Sequence, residues 1–342
     1  MKNTVSMYSI AEHLGMSVSE VSRAFKADYK MNPEKREKIL QTAQQMGYTR
    51  NEGASRLSQK PVTIGIITGR EPQYFTNELL SGFSRAEGQL SAYKLVCLYE
   101  TVNTYPYRDG SGAKIEAAIE RCLARGADGI VISAFDRDLP ALMDRFRARG
   151  VRMAAVNFDL PGHLDFASVN NTDAAAAMAA YLLSLPKTNG NTLIFSGSLE
   201  YWTHGHLVAR FRETAARYGL TVRHMEEALT EETLEEACKT AFAACPDAQC
   251  IYLTSGICVP VLEYVRRNAP GRVKIVASDL YDRMIPYLLD GTLTAVIYQN
   301  PQAQAYEALC GMYALCTGHP APAAQIFSKP EIITRENYTL YL

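Results

Sequence analysis

The sequence predicts an α/β protein in two parts, a small helical unit at the amino terminus and a body of parallel sheets with crossover helices. Three short helical patterns lie within residues 9–47, and apolar strand-like runs alternate with helical stretches from residue 62 onward. The charge also changes sign between the parts. Residues 1–60 hold ten Lys/Arg and six Asp/Glu, a balance of +4, whereas residues 61–342 hold 25 and 30, a balance of −5.

Capping residues predict the first two helices. Ser9 and Ser17 each stand three residues before a glutamate, which is the spacing of a capping box, and Gly15 between the helices provides a tight turn. Apolar residues recur at helical spacing and would form a small shared core, namely Ile10, Ala11, Leu14, Val21 and Phe25. The second helix then presents on its outer face Ser17, Val18, Ser19, Ser22 and Arg23.

A third helix is predicted after Asn32-Pro33, an N-cap followed by proline at the first helical position, and it ends at Gly47. The resulting three-helix unit has two interpretations. It is either a small helical cap on an enzyme or a DNA-binding helix-turn-helix unit. The basic balance of residues 1–60 favours DNA, because Lys and Arg that neutralise phosphates release counterions.

The body alternates between strands and helices. Predicted strands cover residues 62–68, 94–99, 129–133, 151–157, 192–196, 250–254, 273–278 and 294–298. Predicted helices between them cover residues 75–90, 113–125, 173–185, 207–218 and 234–244. This alternation is typical of parallel sheets with helices on both faces, in which ligands bind beyond the carboxyl ends of the strands.

Composition limits the class of protein. With 47% hydrophobic and 21% charged residues, the body can bury a large core and is expected to divide into two lobes. No signal peptide or membrane span is expected, because no apolar run of about 18 residues occurs. The eight cysteines show neither a C-x-x-C pair nor zinc-finger spacing, so we expect reduced thiols and no metal. These features predict a cytoplasmic protein.

The amino-terminal unit contains two informative runs, S-I-A-E-H-L-G-M-S-V-S-E-V-S-R-A-F and then R-E-K-I-L-Q-T-A-Q-Q-M-G-Y-T-R-N. Together they resemble the amino-terminal signature of the lactose-repressor (LacI/GalR) family of transcription regulators. The likeness extends through most of the chain. It implies that Val18, Ser19 and Arg23 face base edges in the major groove. It also implies that phosphates are held by Ser17, Ser22 and Asn51.

The family's hinge pattern, Y-x-P-N-x-x-A-R-x-L, reads here Y-T-R-N-E-G-A-S-R-L. In the family this segment becomes a helix on DNA, and its leucine, here Leu57, wedges into a minor-groove step. Arg50 and Ser55 depart from the usual proline and arginine. A plain flexible linker therefore remains the alternative for this segment.

The resemblance implies a two-lobed effector domain like that of the periplasmic sugar-binding proteins (type I), with three crossovers between the lobes. We expect crossovers near Leu160-Pro161, near Gly291 and near Pro320–Pro322. The predicted domains are then a DNA-binding unit (1–49), a hinge (50–60) and an effector domain (61–342). Within the effector domain, one lobe covers about 61–160 and 293–321 and the other about 161–292 and 322–342.

Strand ends and the resemblance together suggest the effector-binding residues. Asp279, Asp159 and Gln299 follow predicted strands, and Arg210 matches an arginine that reaches the ligand in relatives. Trp202 and Phe75 would supply aromatic faces, and paired donors and acceptors beside such faces suit a carbohydrate. The alternatives are helix N-caps for both aspartates, a core position for the tryptophan and a surface ion pair for the arginine.

Two short runs refine the expected ligand. I-Y-Q-N-P-Q-A-Q-A-Y (297–306) resembles a stretch of sugar-binding relatives. The run V-N-N-T-D departs from the family's V-x-x-D-N, with Asn170 in place of the aspartate. The predicted cleft has no cluster of Lys and Arg, so a phosphorylated ligand is not expected.

Enzyme motifs for nucleophilic, phosphate-loop, zinc or dinucleotide chemistry are absent from the sequence, so neither catalysis nor a cofactor is expected. We interpret the chain as a sugar-controlled DNA-binding regulator, a repressor that acts as a homodimer, because one short helix reads too few base pairs to specify a genomic site. A solute-binding protein without DNA-binding function is the alternative from another class.

Overall fold

Three short helices form the amino-terminal unit of the computed structural model, which describes residues 5–25, 29–48, 60–70, 72–104, 111–185, 188–227, 230–256 and 259–342. They are α1 (Met7–Leu14), α2 (Val18–Ala24) and α3 (Pro33–Gln45). Their shared core contains Ile10, Ala11, Val21, Ala24, Ile39 and Ala43. Gly15 and Gly47 end α1 and α3 in the left-handed region, with φ of 64° and 72°, where glycine meets no steric penalty.

The caps agree with the sequence prediction at two of the three helices. Ser17 caps α2, since its hydroxyl accepts from the Glu20 amide at 3.2 Å while the Glu20 carboxylate accepts from the Ser17 amide at 3.1 Å. Asn32 caps α3. The prediction for α1 was wrong by one turn: Ser6 is the N-cap, and Ser9 is the third helical residue that completes its capping box. The helix begins earlier because Met7 packs against the small core.

Residues 1–60 and 61–342 form separate compact units. The second unit contains two six-stranded sheets. The first sheet has the order β11-β5-β4-β3-β1-β2 and is entirely parallel. Its strands are β1 (Val62–Gly69), β2 (Leu95–Val102), β3 (Gly129–Ile132), β4 (Arg152–Val156), β5 (Phe166–Asn170) and β11 (Gln325–Ser328).

The second sheet has the order β12-β10-β9-β8-β6-β7 and is parallel except for β12. Its strands are β6 (Asn191–Ser196), β7 (Thr221–Glu227), β8 (Cys250–Leu253), β9 (Lys274–Ser278), β10 (Ala295–Tyr298) and β12 (Glu331–Ile333). The eight predicted strands are confirmed within a few residues. We call the part of the unit built on each sheet lobe 1 and lobe 2.

Helices cover the faces of both sheets. Those of lobe 1 are α4 (Gln73–Leu90), α5 (Ser111–Ala124), α6 (Leu139–Ala148) and α12 (Pro301–Cys316). Those of lobe 2 are α7 (Thr172–Ser184), α8 (Trp202–Ala215), α9 (Glu231–Ala244), α10 (Val259–Asn268) and α11 (Ile285–Leu289). Alternate residues of the central strands enter opposite apolar layers: in β1, Ile66 joins one buried cluster and Ile67 the other.

The sheet topology corrects all three predicted crossovers. β5 pairs with β4, β10 pairs with β9, and β11 pairs with β5, so each of these strands completes the sheet that the chain is about to leave. The chain therefore crosses at Asn171, at Gln299–Asn300 and at Lys329–Pro330. The prediction had chosen nearby proline and glycine residues, but the strand hydrogen bonds place each crossing one strand later.

The described part of the chain contains seven cysteines, all of them free thiols and four of them buried. Within the described ranges, no helix is both long enough and apolar enough to cross a membrane. The same residues contain no group of three or more His, Cys, Asp or Glu side chains that could hold a metal ion.

Candidate functional site

Buried polar side chains collect where the strands of the two sheets end. Within the second unit they include Thr68, Asn157, Asp159, Asn170, Ser196, Thr254, Asp279 and Gln299, each less than a tenth exposed. Burying a polar group without a hydrogen bond costs free energy, so such a concentration marks either a structural network or a ligand site.

Asp279 and Gln299 form the centre of this group. The Asp279 carboxylate accepts from the Gln299 backbone amide at 3.0 Å and from its side-chain Nε2 at 2.5 Å. The Gln299 Oε1 accepts from Asn170 Nδ2 at 3.1 Å. A chain of hydrogen bonds therefore connects the end of β9, the second crossover and the end of β5, and it joins both lobes.

The pKa of Asp279 is raised to about 7, mainly by burial and to a smaller extent by Glu78, while the hydrogen bonds from Gln299 act in the opposite direction. Asp279 also has a φ of 60°, in the left-handed region that favours glycine. Non-glycine residues in that region are uncommon and cluster at functional sites. The backbone and the electrostatics at Asp279 are both unusual, which makes it the strongest candidate in the cleft.

Two oxygens at strand ends of lobe 1 have no hydrogen-bond partner among the described residues. They are Ser133 Oγ, after β3, and Asn170 Oδ1, at the end of β5. Buried polar atoms in native proteins are nearly always satisfied by protein, water or a ligand. Both atoms therefore retain an unused capacity to accept a hydrogen bond, and Ser133 can also donate one.

Asp159 and Phe75 lie elsewhere in lobe 1. The Asp159 carboxylate accepts from Gln325 Nε2 at 2.5 Å, in the loop that leads from β4 to β5. Phe75 is half-buried and packs against the apolar layer that contains Phe83. The structure does not bring either side chain into contact with Asp279 or Gln299. Neither Asp159 nor Asp279 is the N-cap of a helix, so the alternative interpretation of the two aspartates as helix caps is wrong.

Trp202 lies at the boundary between the lobes. It stacks on His206, with ring centroids 4.2 Å apart. Both side chains line a groove of about 350 Å³ together with Phe135 and Leu160 of lobe 1. His204, two residues before His206, is instead half-buried beside Thr254, and desolvation lowers its pKa to about 4. The tryptophan is thus placed beside lobe 1, apart from the Asp279 network.

The prediction that Arg210 reaches the effector is wrong. Its guanidinium lies on the outside of α8, where it pairs with Asp173 at 2.8 Å and with Glu213 at 2.7 Å. Its side chain is 43% exposed, whereas Leu207 and Phe211 of the same helix are fully buried. The helical periodicity of α8 therefore directs Arg210 to the surface, and the alternative interpretation of a surface ion pair is the one observed.

Several side chains connect the lobes directly and were missed in the sequence. Tyr74 of α4 stacks on Tyr281 of lobe 2. Asn157 of lobe 1 donates from Nδ2 to the hydroxyl of Tyr201 at 2.9 Å, and Thr203 donates to the Asn157 carbonyl. Only sequence position pointed to Tyr74, because it is the neighbour of Phe75, which was predicted to line the cleft at the first strand-to-helix turn.

In the amino-terminal unit, the predicted DNA-facing residues differ in exposure. Ser19 and Arg23 are exposed, and Val18 and Ser22 are half-buried. The Arg23 guanidinium lies over the ring of Tyr29, 5.2 Å from its centroid. Ser17 is exposed, although its hydroxyl is engaged in the α2 capping box. Asn51 and Leu57 lie outside the described residues.

Comparison with known proteins gives the second unit a family. A family model described as a periplasmic binding protein domain matches residues 64–320. The solved structure of GanP, a glucose-galactose binding protein from Geobacillus stearothermophilus, superposes with a TM-score of 0.71 at 17% identity and covers 82% of this chain and 99% of that chain. At that identity the likeness shows the two-lobed fold.

Two curated relatives are regulators. The HTH-type transcriptional regulator DegA of Bacillus subtilis is 23% identical over 202 residues, 58% of this chain and 57% of that protein. The lactose operon repressor of Escherichia coli is 26% identical over 130 residues, 38% of this chain and 34% of that protein. The matches thus span about half or less of these relatives. The resemblance to the lactose-repressor family is confirmed, and the chain belongs to the periplasmic binding protein domain family.

Proposed function

We propose that this chain is a sequence-specific DNA-binding regulator, a repressor, whose operator affinity is controlled by a small carbohydrate bound between the lobes. The observation that carries the proposal is the combination of two units in one chain. A short capped helix, α2, exposes Ser19 and Arg23, and it precedes a two-lobed domain with a buried polar network at its strand ends.

Charge supports the DNA-binding part of the proposal. The balance of +4 in residues 1–60 suits a unit that contacts phosphates, whereas the balance of −5 in the remainder does not. A seven-residue recognition helix specifies few base pairs, so a homodimer on a two-fold operator would supply the remaining specificity. The relatives named as regulators point in the same direction.

The DNA test uses the full chain and a site selected from a random duplex pool. Arg23→Ala should cost about 1–3 kcal/mol of affinity and relax the selected sequence. Lys38→Ala is the matched control, because it removes one positive charge from an exposed position on α3 of the same unit. Wild-type affinity should fall steeply as salt increases.

Binding that does not depend on salt, or no selectable site, would contradict the regulator proposal. The chain would then be better described as a solute-binding protein, the class to which the structural relative GanP belongs. Equal losses of affinity in Arg23→Ala and Lys38→Ala would show that α2 does not read sequence.

The effector part rests on the chemistry of the strand ends. Asp279 and Gln299 offer carboxylate and amide groups, and Asn170 Oδ1 is an additional acceptor. Sugar hydroxyls each donate and accept, so they match such a set, and aromatic side chains suit the C–H faces of the ring. We assign the site to Asp279, Gln299 and Asn170, whereas Trp202 lies apart from this network and is not assigned to it.

A thermal-shift screen with D-glucose, D-galactose and other neutral sugars and polyols tests this assignment. A sugar at about 100 times its Kd should stabilise the protein by roughly 2.7 kcal/mol. Asn170→Leu should abolish that shift. Asp173→Asn is the control: it changes an exposed aspartate of lobe 2 and should leave the shift as in the wild type. The effector should also change operator affinity, and DNA should change sugar affinity by the same factor.

A further inference from the structure

Two tyrosines from different lobes stack face to face. Tyr74 belongs to the first turn of α4 in lobe 1, and Tyr281 follows β9 in lobe 2. Their ring centroids are 4.2 Å apart and their planes differ by 15°. Such a pair contributes attraction beyond the apolar area that it buries, so this contact favours an arrangement in which the lobes lie close together.

Gly256 makes the close approach possible. It is buried in the loop that follows β8 of lobe 2. A Cβ added at Gly256 would overlap the hydroxyl group of Tyr74 and lie 2.9 Å from its Cε1 atom. The residue is therefore required to be small because of the space that the Tyr74 ring occupies.

One turn further along α4, a second side chain contacts lobe 2. The carboxylate of Glu78 accepts from the Tyr298 hydroxyl of β10 at 2.8 Å. Residues four apart lie on the same face of a helix, so Tyr74 and Glu78 form one surface of α4 directed at lobe 2. The aromatic stack is thus part of a defined contact between the lobes.

We propose that Tyr74, Tyr281 and Gly256 form an aromatic clasp that holds the two lobes together, and that the absence of a side chain at Gly256 sets how closely α4 approaches lobe 2. The effect of the clasp on sugar binding rests on the proposed function, which assigns the sugar to the cleft between the lobes. Loss of the clasp would change sugar affinity. The clasp itself requires no ligand, so it can be tested separately.

The chain contains its own reporter. Trp202 is the only tryptophan, and it shares a groove with Phe135 and Leu160 of lobe 1. When the lobes separate, the indole loses these neighbours and meets water. Tryptophan emission and acrylamide quenching of the full chain, without DNA or sugar, therefore measure lobe separation, and small-angle scattering gives an independent radius of gyration.

The variants are Gly256→Ala, Tyr74→Ala and their combination. Each single variant should shift the emission to longer wavelength, increase quenching and enlarge the radius of gyration. The double variant should match Tyr74→Ala, because without the tyrosine ring the new methyl group has nothing to displace. Gly88→Ala is the control, since it adds the same methyl group on α4 in open space and should behave as wild type.

The proposal would be overturned if Tyr74→Ala had the emission, quenching and radius of gyration of the wild type. It would also be overturned if Gly256→Ala had an effect of the same size in the wild-type and in the Tyr74→Ala background. If Gly256→Ala does not fold, Tyr74→Ala and Tyr281→Ala still decide the question by the same measurements. A clasp confirmed in a chain that binds no sugar or DNA would refute the proposed function and leave this inference standing.

Discussion

The buried carboxyl group of Asp279 should make the stability of the two-lobed unit depend on pH. Asp279 is 6% exposed, and its pKa is raised from 3.8 to about 7, first by burial. Each tenfold change in proton affinity corresponds to about 1.4 kcal/mol, so the full difference corresponds to ~4 kcal/mol. The perturbation that tests this is Asp279→Asn, which keeps the size of the side chain and removes the titration.

The sign follows from proton binding. Between pH 3.8 and about 7 the folded protein holds a proton that the unfolded chain has released, so stability is greatest below this window and is lost as pH rises through the folded-state pKa. Between pH 5 and pH 8, a single group of this kind accounts for about 2–3 kcal/mol of lost stability. Asp279→Asn should remove that part of the slope.

Urea unfolding at pH 5, 6, 7 and 8, followed by circular dichroism, measures the effect as a change in midpoint at constant m. Asp165→Asn is a poor control because its carboxylate accepts from the Met153 amide at 2.7 Å. Asp173→Asn is a better one, since Asp173 is 69% exposed and its ion pair with Arg210 is screened by solvent. The reasoning is refuted if Asp279→Asn keeps the wild-type pH profile or if Asp173→Asn flattens the profile equally.

Three further predictions concern other parts of the chain. Arg210→Ala should change sugar affinity by about twofold at most, because the guanidinium is paired on the surface; calorimetry checks this, and a tenfold loss would return Arg210 to the cleft. Gly82→Ala should destabilise the protein by about 1–3 kcal/mol, because its Cβ would overlap a backbone carbonyl of α12. Gly88→Ala, the control, should be neutral or stabilising by up to about 1 kcal/mol. A urea midpoint that is higher for Gly82→Ala than for Gly88→Ala would contradict this packing. Ser17→Ala should lower the stability of the three-helix unit by about 1 kcal/mol through loss of the α2 cap, which thermal unfolding measures, and an unchanged transition would count against that cap.

Local patterns in the sequence determined the identity of most elements. The Ser17 cap, the Asn32-Pro33 helix start and the eight apolar strands are confirmed, because each depends on residues that are neighbours along the chain. The strands β5, β7, β11 and β12 were not among the eight predicted. The last three lie at sheet edges and are largely half-exposed, so their sequences lack the continuous apolar run that reveals a buried strand. β5 is buried but only five residues long.

Tertiary structure decided where the lobes begin and end and which cleft residues meet. An apolar strand looks the same in either sheet, and only its hydrogen-bonded partner assigns β5, β10 and β11 to a lobe. Asp279 and Gln299 follow strands of one sheet and are hydrogen-bonded, whereas the predicted lobe boundaries had placed them in different lobes. The outward direction of Arg210, and the contact of Tyr74 with Gly256 and Tyr281, depend on segments far apart in sequence that fold onto one another.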